Sequence, residues 1–191
     1  MRHGEVYNPD NIWYGKLPHY RLSANGIKQM QKTAKYLASK NIHYIYSSPL
    51  LRTRQSAAII QNILNLYPIH FSKDLLEVTS SLQGTSFSYI QSLQYNIFAS
   101  PTNDVTGETI ENVADRIDHF VKSINNMHKD KNIVAVTHGD PIMIIKTIVN
   151  RESVTNATIR YGKNEYIQHG EVYLLKFTDT NHTCIESIFK P

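Results

Sequence analysis

The chain has 191 residues, 41% of them hydrophobic and 10% aromatic, enough to bury one core but too few for two independent ones. Twenty Lys and Arg against sixteen Asp and Glu leave a formal charge of +4, and the basic residues are scattered, which favours a small acidic ligand and argues against nucleic acid. The only cysteine, Cys184, excludes an intrachain disulfide and a thiolate zinc cluster, and no run of about 18 apolar residues is present to span a bilayer. The N-terminus lacks a signal-peptide pattern, so the chain reads as one cytoplasmic domain over residues 1–191, with no membrane partner.

Ser23 precedes Ile27, Met30, Ala34 and Leu37 at helical spacing, which predicts an amphipathic helix ending around Lys40 and Asn41. Ile42 to Ser47 is short and rich in Ile and Tyr, as a strand should be, and Ser48-Pro49 leads into a helix from about Leu51 to Leu64. Ile69 and Phe71 mark another short strand. Periodicity is then lost among Ser, Gln, Asn and Gly, so residues 78–106 are expected to form an irregular insertion and part of a substrate cap. After Gly107, the residues Ile110, Val113, Ala114, Ile117, Phe120, Val121 and Ile124 hold one helical face. Ile133 to Val136 reads as a buried parallel strand, and Pro141 suits the first turn of a helix reaching about Val149. Tyr166 to Phe177 and Thr183 to Phe189 read as closing strands joined by a turn at Asp179, Thr180 and Asn181. This alternation predicts a three-layer α/β/α sandwich with a mainly parallel central sheet.

Two His-Gly pairs stand out. Arg2-His3-Gly4-Glu5 opens the chain, and Thr137-His138-Gly139-Asp140 follows the buried strand. Loops at the carboxyl ends of parallel strands could bring both imidazoles to one site. With Ser47-Ser48-Pro49-Leu50-Leu51-Arg52-Thr53 between them, the chain resembles the histidine phosphatase superfamily, the group that includes the cofactor-dependent phosphoglycerate mutases. Leu22-Ser23 with Gly26 and Gln29, Leu75-Leu76-Glu77, and Gly107-Glu108 followed by Arg116 fall in the family's order, so the resemblance covers essentially the whole chain. It implies a phosphoglycerate mutase-like fold and a phosphatase that needs neither metal nor other cofactor and acts on a small phosphorylated metabolite.

The residue types suit that chemistry. A transferring phosphoryl group spreads charge over three oxygens, so its site needs fixed cations and donors around a nucleophile. Arg2 and Arg52 carry planar forks that bind such oxygens bidentately. His3, neutral for much of the time near pH 7, is the candidate nucleophile, with a backbone carbonyl fixing its tautomer. Gly4 leaves room for the approach, and Gly139 falls on the substrate side of the second pair. By the resemblance, His138 donates to the phosphoryl oxygens, and Glu77 protonates the leaving oxygen before activating water. Glu108 is the second choice for that acid, since a carboxylate there also suits a helix start. Either Asn8 or Asn11 could make a phosphate contact, Asn8 being the one placed in the site.

Other residues take a plainer reading. Gln168-His169-Gly170-Glu171 repeats the His-Gly-acid pattern but lacks a preceding Arg and a preceding buried strand, so His169 is assigned to a structural turn. Arg54 is expected to face solvent. Tyr7, Trp13 and Tyr14 near the N-terminal loop are assigned to packing. A mutase would use the same core residues, but residues 78–106 contain no Lys or Arg to grip a second anionic group. A non-catalytic phosphate-binding module is the remaining alternative. In the family a strand of five or six apolar residues leads into Arg-His-Gly, whereas here Arg2 follows Met1. The expectation is therefore an apolar segment upstream, or a strand lent by a second copy in a homodimer, or a loosely held His3.

Overall fold

A computed structural model describes residues 1–98, 107–161, 165–177 and 183–191 of the chain. Helix α1 (Ala24–Leu37) begins where Ser23 Oγ accepts the Gly26 N–H, and Met30, Ala34 and Leu37 form its buried stripe. Strand β1 (Ile42–Ser47), helix α2 (Leu51–Leu64) and strand β2 (Ile69–Phe71) follow within the predicted bounds. Helix α3 (Phe87–Ser92) precedes the long α4 (Ile110–Met127), which starts at a reciprocal cap between Thr109 and Asn112. Strand β3 (Asn132–Val136) runs into α5 (Gly139–Val149); α6 (Asn156–Tyr161), β4 (Val172–Phe177) and β5 (Thr183–Phe189) complete the order.

The parallel sheet has the order β2-β1-β3, with Ile45 beside Ile69 on one side and Val134 on the other. Side chains alternate across it. Ile45, Val134 and Val136 pack with α1 and α2, while Tyr46 and Ala135 face the cluster containing Val113, Ile117 and Phe120 of α4 and Ile142 to Ile145 of α5. Helices therefore cover both faces, and β4 and β5 form a separate antiparallel pair.

The first three residues extend the sheet. Thr137 N donates to Met1 O at 3.0 Å and His3 N to Thr137 O at 3.1 Å, in parallel pairing, while Arg2 N donates to Glu171 O at 3.2 Å on the far side. This overturns the expectation of a loosely held His3. The residue is 1% exposed, with its carbonyl also taken by Gly170 N at 3.1 Å.

Other expectations need correction. Within 78–106, the described residues up to 98 are turns and loop apart from the six-residue α3, yet Leu82, Ile90 and Ile97 are buried in the core. The segment's polar composition hid three well-spaced apolar anchors. The strand expected from Tyr166 starts only at Val172, because residues before it bend through a turn with Gly170 at φ +74°. The turn at Asp179, Thr180 and Asn181 lies outside the described residues.

Two glycines let α1 approach the loop after His3 backbone to backbone. A Cβ on Gly26 would fall 2.0 Å from Glu5 O, and one on Gly4 would fall 2.5 Å from Gly26 O. Helix propensity alone would favour Gly26→Ala by about 1 kcal/mol. The clash should win, with a net loss of ~1–3 kcal/mol in denaturant unfolding. Gly107→Ala, whose Cβ would find no atom nearer than 3.4 Å, should be close to neutral in the same titration.

Candidate active site

Carboxyl ends of neighbouring parallel strands converge on one point. The segment ending in His3, β1 running through Ser48 into α2, and β3 running through Thr137 to His138 deliver two imidazoles and Arg52, the second residue of α2. Glu77 arrives from the segment after the short 3-10 turn Lys73–Leu75. His3, Arg52 and His138 are at most 1% exposed, and Glu77 is 8% exposed.

The tautomer of His3 follows from its contacts. Its Nδ1 lies 2.7 Å from Gly4 O, so Nδ1–H donates to that carbonyl and Nε2 carries the lone pair. Arg52 Nε donates to this Nε2 at 3.2 Å. The rest of Arg52 is held by Gly15 O, at 2.6 Å from Nη2, with its guanidinium 4.8 Å over the Tyr14 ring. Arg2 Nη1 donates to Ile167 O at 2.7 Å. The His138 ring stands 5.2 Å from that of His3, edge-on, with Nε2 2.9 Å from Ser48 Oγ. Three buried nitrogens here make no hydrogen bond among the described residues: Arg2 Nε, His138 Nδ1 and His169 Nε2.

Burial, followed by the charge of Arg52, holds both His3 and His138 well below the ordinary imidazole range, so both are neutral at working pH. Burial and then the Asp140 carboxylate push Glu77 up to about 7, which lets it hold or release a proton near neutrality. Glu108 behaves oppositely. Burial opposes its charge, but Arg116, Thr79 N–H and Lys16 hold it down at about 2. Its Oε1 accepts from Arg116 Nε at 2.8 Å, and its Oε2 from Lys16 Nζ at 3.0 Å and Thr79 N at 2.8 Å. Arg116 in turn donates to Asp74 O at 2.6 Å, Leu76 O at 2.7 Å and Glu77 O at 3.2 Å. Glu108 is thus the anchor of an arginine staple that sets the backbone of Glu77. Of the two carboxylates, only Glu77 can carry a proton at neutral pH.

The remaining candidates separate by their contacts. Asn8 bridges Ile12, its Nδ2 donating to Ile12 O at 2.8 Å and its Oδ1 accepting from Ile12 N at 3.3 Å, so its amide is committed to the loop. Asn11 is exposed with φ 48°. Gly139 answers to packing, since a Cβ there would meet Tyr166 Oη at 2.1 Å. Arg54 is exposed and lies 5.8 Å over Phe71.

Two features escaped sequence reasoning. His169, assigned to a structural turn, has its ring 5.5 Å from that of His3. The repeated His-Gly-acid pattern was the available signal. The second is a buried network in which Asp140 accepts both Arg160 guanidinium nitrogens, Nη1 on Oδ1 and Nη2 on Oδ2, and the Tyr166 hydroxyl at 2.8 Å. Arg160 lies on α6, which the sequence reading did not anticipate.

Comparison with known proteins agrees with this geometry. A family profile for the histidine phosphatase superfamily (branch 1) matches residues 1–185. A protein of Arabidopsis thaliana named phosphoglycerate mutase-like protein 4 is 32% identical over 74% of this chain and 66% of its own. The metal-independent phosphoserine phosphatase of the same plant is 25% identical over 95% of this chain and 81% of its own. Among solved structures, Bacillus stearothermophilus YhfR superposes with a TM-score of 0.82 at 20% identity, covering 98% of this chain and 93% of that one. The Entamoeba histolytica phosphoserine phosphatase bound to 3-phosphoglyceric acid superposes with a TM-score of 0.78 at 23% identity, covering 99% and 94%. A neutral histidine at the end of a strand, faced by an arginine and a second histidine, is carried here by a chain that belongs to the histidine phosphatase superfamily.

Proposed function

We propose that the protein is a phosphatase that hydrolyses a small phosphomonoester through a phosphohistidine on His3 and needs no metal. The observation that carries this reading is the state of His3: its Nδ1–H is tied to Gly4 O, and its Nε2 lone pair accepts from Arg52 Nε at 3.2 Å, a contact that the guanidinium gives up to a phosphoryl oxygen as Nε2 attacks. The His3 Nε2 lone pair forms the N–P bond while the bond from phosphorus to the ester oxygen breaks. Glu77 gives its proton to that leaving oxygen. The phosphorylated imidazole is then a cation whose Nδ1–H is steadied by the Gly4 carbonyl. In the second step ionised Glu77 takes a proton from water, whose oxygen bonds to phosphorus as the N–P bond breaks and releases inorganic phosphate. Arg2, Arg52 and His138 contribute donors to the phosphoryl oxygens throughout. Residues 78–98, which pair with the 11–16 loop through Trp13 N to Thr85 O at 2.8 Å and Phe87 N to Asn11 O at 3.0 Å, serve as part of the substrate cap.

The phosphatase reading is favoured over a mutase by what surrounds the core. Lys16, which follows Gly15 in the loop, is committed to Glu108, and residues 78–98 supply no Lys or Arg. Supplying 3-phosphoglycerate with a trace of 2,3-bisphosphoglycerate should therefore give inorganic phosphate in excess of 2-phosphoglycerate.

Rapid quench with labelled substrate should trap an acid-labile, base-stable phosphoenzyme. His3→Ala should remove both it and turnover, whereas a chelator should leave the rate unchanged. Survival of activity in the variant, or its loss with the chelator, overturns the mechanism.

Arg52→Lys keeps the charge but loses the fork, so kcat/KM should fall by about tenfold to a hundredfold and inhibition by vanadate should weaken in parallel. A wild-type rate would remove Arg52 from the phosphate site.

The pH profile of kcat/KM should carry the signature of Glu77. The first step needs Glu77 protonated, and its proton is lost as pH rises through about 7, so kcat/KM should decline above that pH. Glu77→Gln should lower the rate by about 10²–10⁴ and abolish this alkaline limb. A limb that persists in the variant would assign the acid elsewhere.

A further inference from the structure

His169 is a half-buried histidine, with its Nε2 buried, that the mechanism above does not use. It sits on the turn that clamps the nucleophile's strand. Within that turn Ile167 O holds Arg2 Nη1 at 2.7 Å, Glu171 O accepts Arg2 N at 3.2 Å, and Gly170 N donates to His3 O at 3.1 Å. Thr33 Oγ1 from α1 donates to Gly170 O at 2.9 Å, and Glu171 Oε2 closes the turn by accepting Gln168 N at 2.7 Å. The residue flanked by these contacts cannot drift. Its ring is tilted 46° to that of His3, with centroids 5.5 Å apart, a separation close to the 5.2 Å between His3 and His138.

A ring used only for packing would turn its nitrogens to solvent or to a partner. His169 instead buries Nε2 with no hydrogen bond among the described residues, beside two other uncommitted nitrogens, Arg2 Nε and His138 Nδ1. A buried polar atom without a partner costs free energy unless a ligand completes it. All three belong to side chains around His3, and a phosphoryl group has oxygens enough to satisfy all three.

Resting on the phosphatase reading, we infer that His169 is a third imidazole of the site, whose Nε2–H donates to an oxygen of the phosphoryl group both in the bound substrate and on His3. The role requires a neutral ring with one fixed donor. Burial, then Arg2 and Arg52, bring His169 down to about 3, so it carries no charge at working pH. It therefore adds a donor without adding a third buried cation to Arg2 and Arg52, which would further depress the basicity of His3. No proton leaves His169 during the reaction.

The test compares His169→Phe, which keeps a planar ring but loses the donor, with His169→Gln, whose amide Nε2 reaches about as far as the imidazole Nε2. Two readouts are taken on each: kcat/KM for a phosphomonoester, and the dissociation constant of orthovanadate measured by calorimetry. His169→Phe should weaken both by about tenfold or more with an unchanged melting temperature, and His169→Gln should recover most of each. In the wild-type protein, the ¹⁵N resonance of His169 Nε2 should shift on addition of vanadate, an effect that a packing role would not produce. Wild-type vanadate affinity in His169→Phe, equal impairment of both variants, or an unmoved ¹⁵N resonance overturns the inference. A wild-type protein that binds vanadate but releases no phosphate would sink the phosphatase reading alone, because the vanadate comparison would still decide the role of His169. Failure of the wild-type protein to bind vanadate would sink both.

Discussion

An unneutralised guanidinium in a dry place is the condition on which the site depends. Arg52 is 1% exposed, and neither it nor Arg2 has a carboxylate within ion-pair distance among the described residues. Carbonyls of Gly15 and Ile167 take one nitrogen from each fork, which offsets part of the desolvation without cancelling the charge. The protein thus keeps a local positive potential that suits an anionic ligand. Burial, and after it this potential, holds the surrounding imidazoles neutral, and a neutral imidazole is the nucleophilic form. One arrangement serves binding and reactivity.

The fold keeps its carboxylates from neutralising that charge by pairing them elsewhere. Asp140 is locked to Arg160 and Tyr166, and Glu108 to Arg116 and Lys16. Each pair then acts on Glu77 in its own way. Arg116 fixes the carbonyls of residues 74, 76 and 77, which sets where the side chain emerges. Asp140 adds negative potential that favours the protonated acid. Were Arg160 lost, Asp140 would become an uncompensated charge near the site, and loss of Arg116 would leave Glu108 with Lys16 as its one cation, so both pairs protect the electrostatics as well as the packing.

Much of this was legible in the chain because the relevant signals are local. Ser23 ahead of a 3.6-residue period, the Ile-Tyr run before Ser48-Pro49, and the apolar run before Thr137 each specify an element from its own residues, and the ends of those elements carry His3, Arg52 and His138. What was not legible depends on distant contacts. The choice between Glu77 and Glu108 turns on Arg116, which reaches one as a salt bridge and the other only through its backbone carbonyl. His169 looked like a turn residue because its approach to His3 comes from Gly170 and Arg2, not from any neighbouring pattern. The anchoring of the loop around α3 was hidden because Leu82, Ile90 and Ile97 are spaced too widely to show a period.

The same long-range contacts bear on how the site is assembled. Arg2 Nη1 and Ile167 O are 165 residues apart, His138 and Ser48 are 90 apart, and Arg52 and His3 are 49 apart. Helices α1, α2 and α4 have caps or apolar stripes of their own and can begin to form locally, but of the site residues they carry Arg52 alone. The segment carrying His3 lies between β3 and the turn before β4, so it can be gripped from both sides only after both ends of the chain have docked. Loop closure over such distances has to precede the contacts that reward it. The buried, uncompensated guanidiniums are therefore brought together late, once the apolar clusters on both faces of the sheet supply the stability that offsets their burial. A site whose charges oppose its own assembly has to rest on a core completed before it.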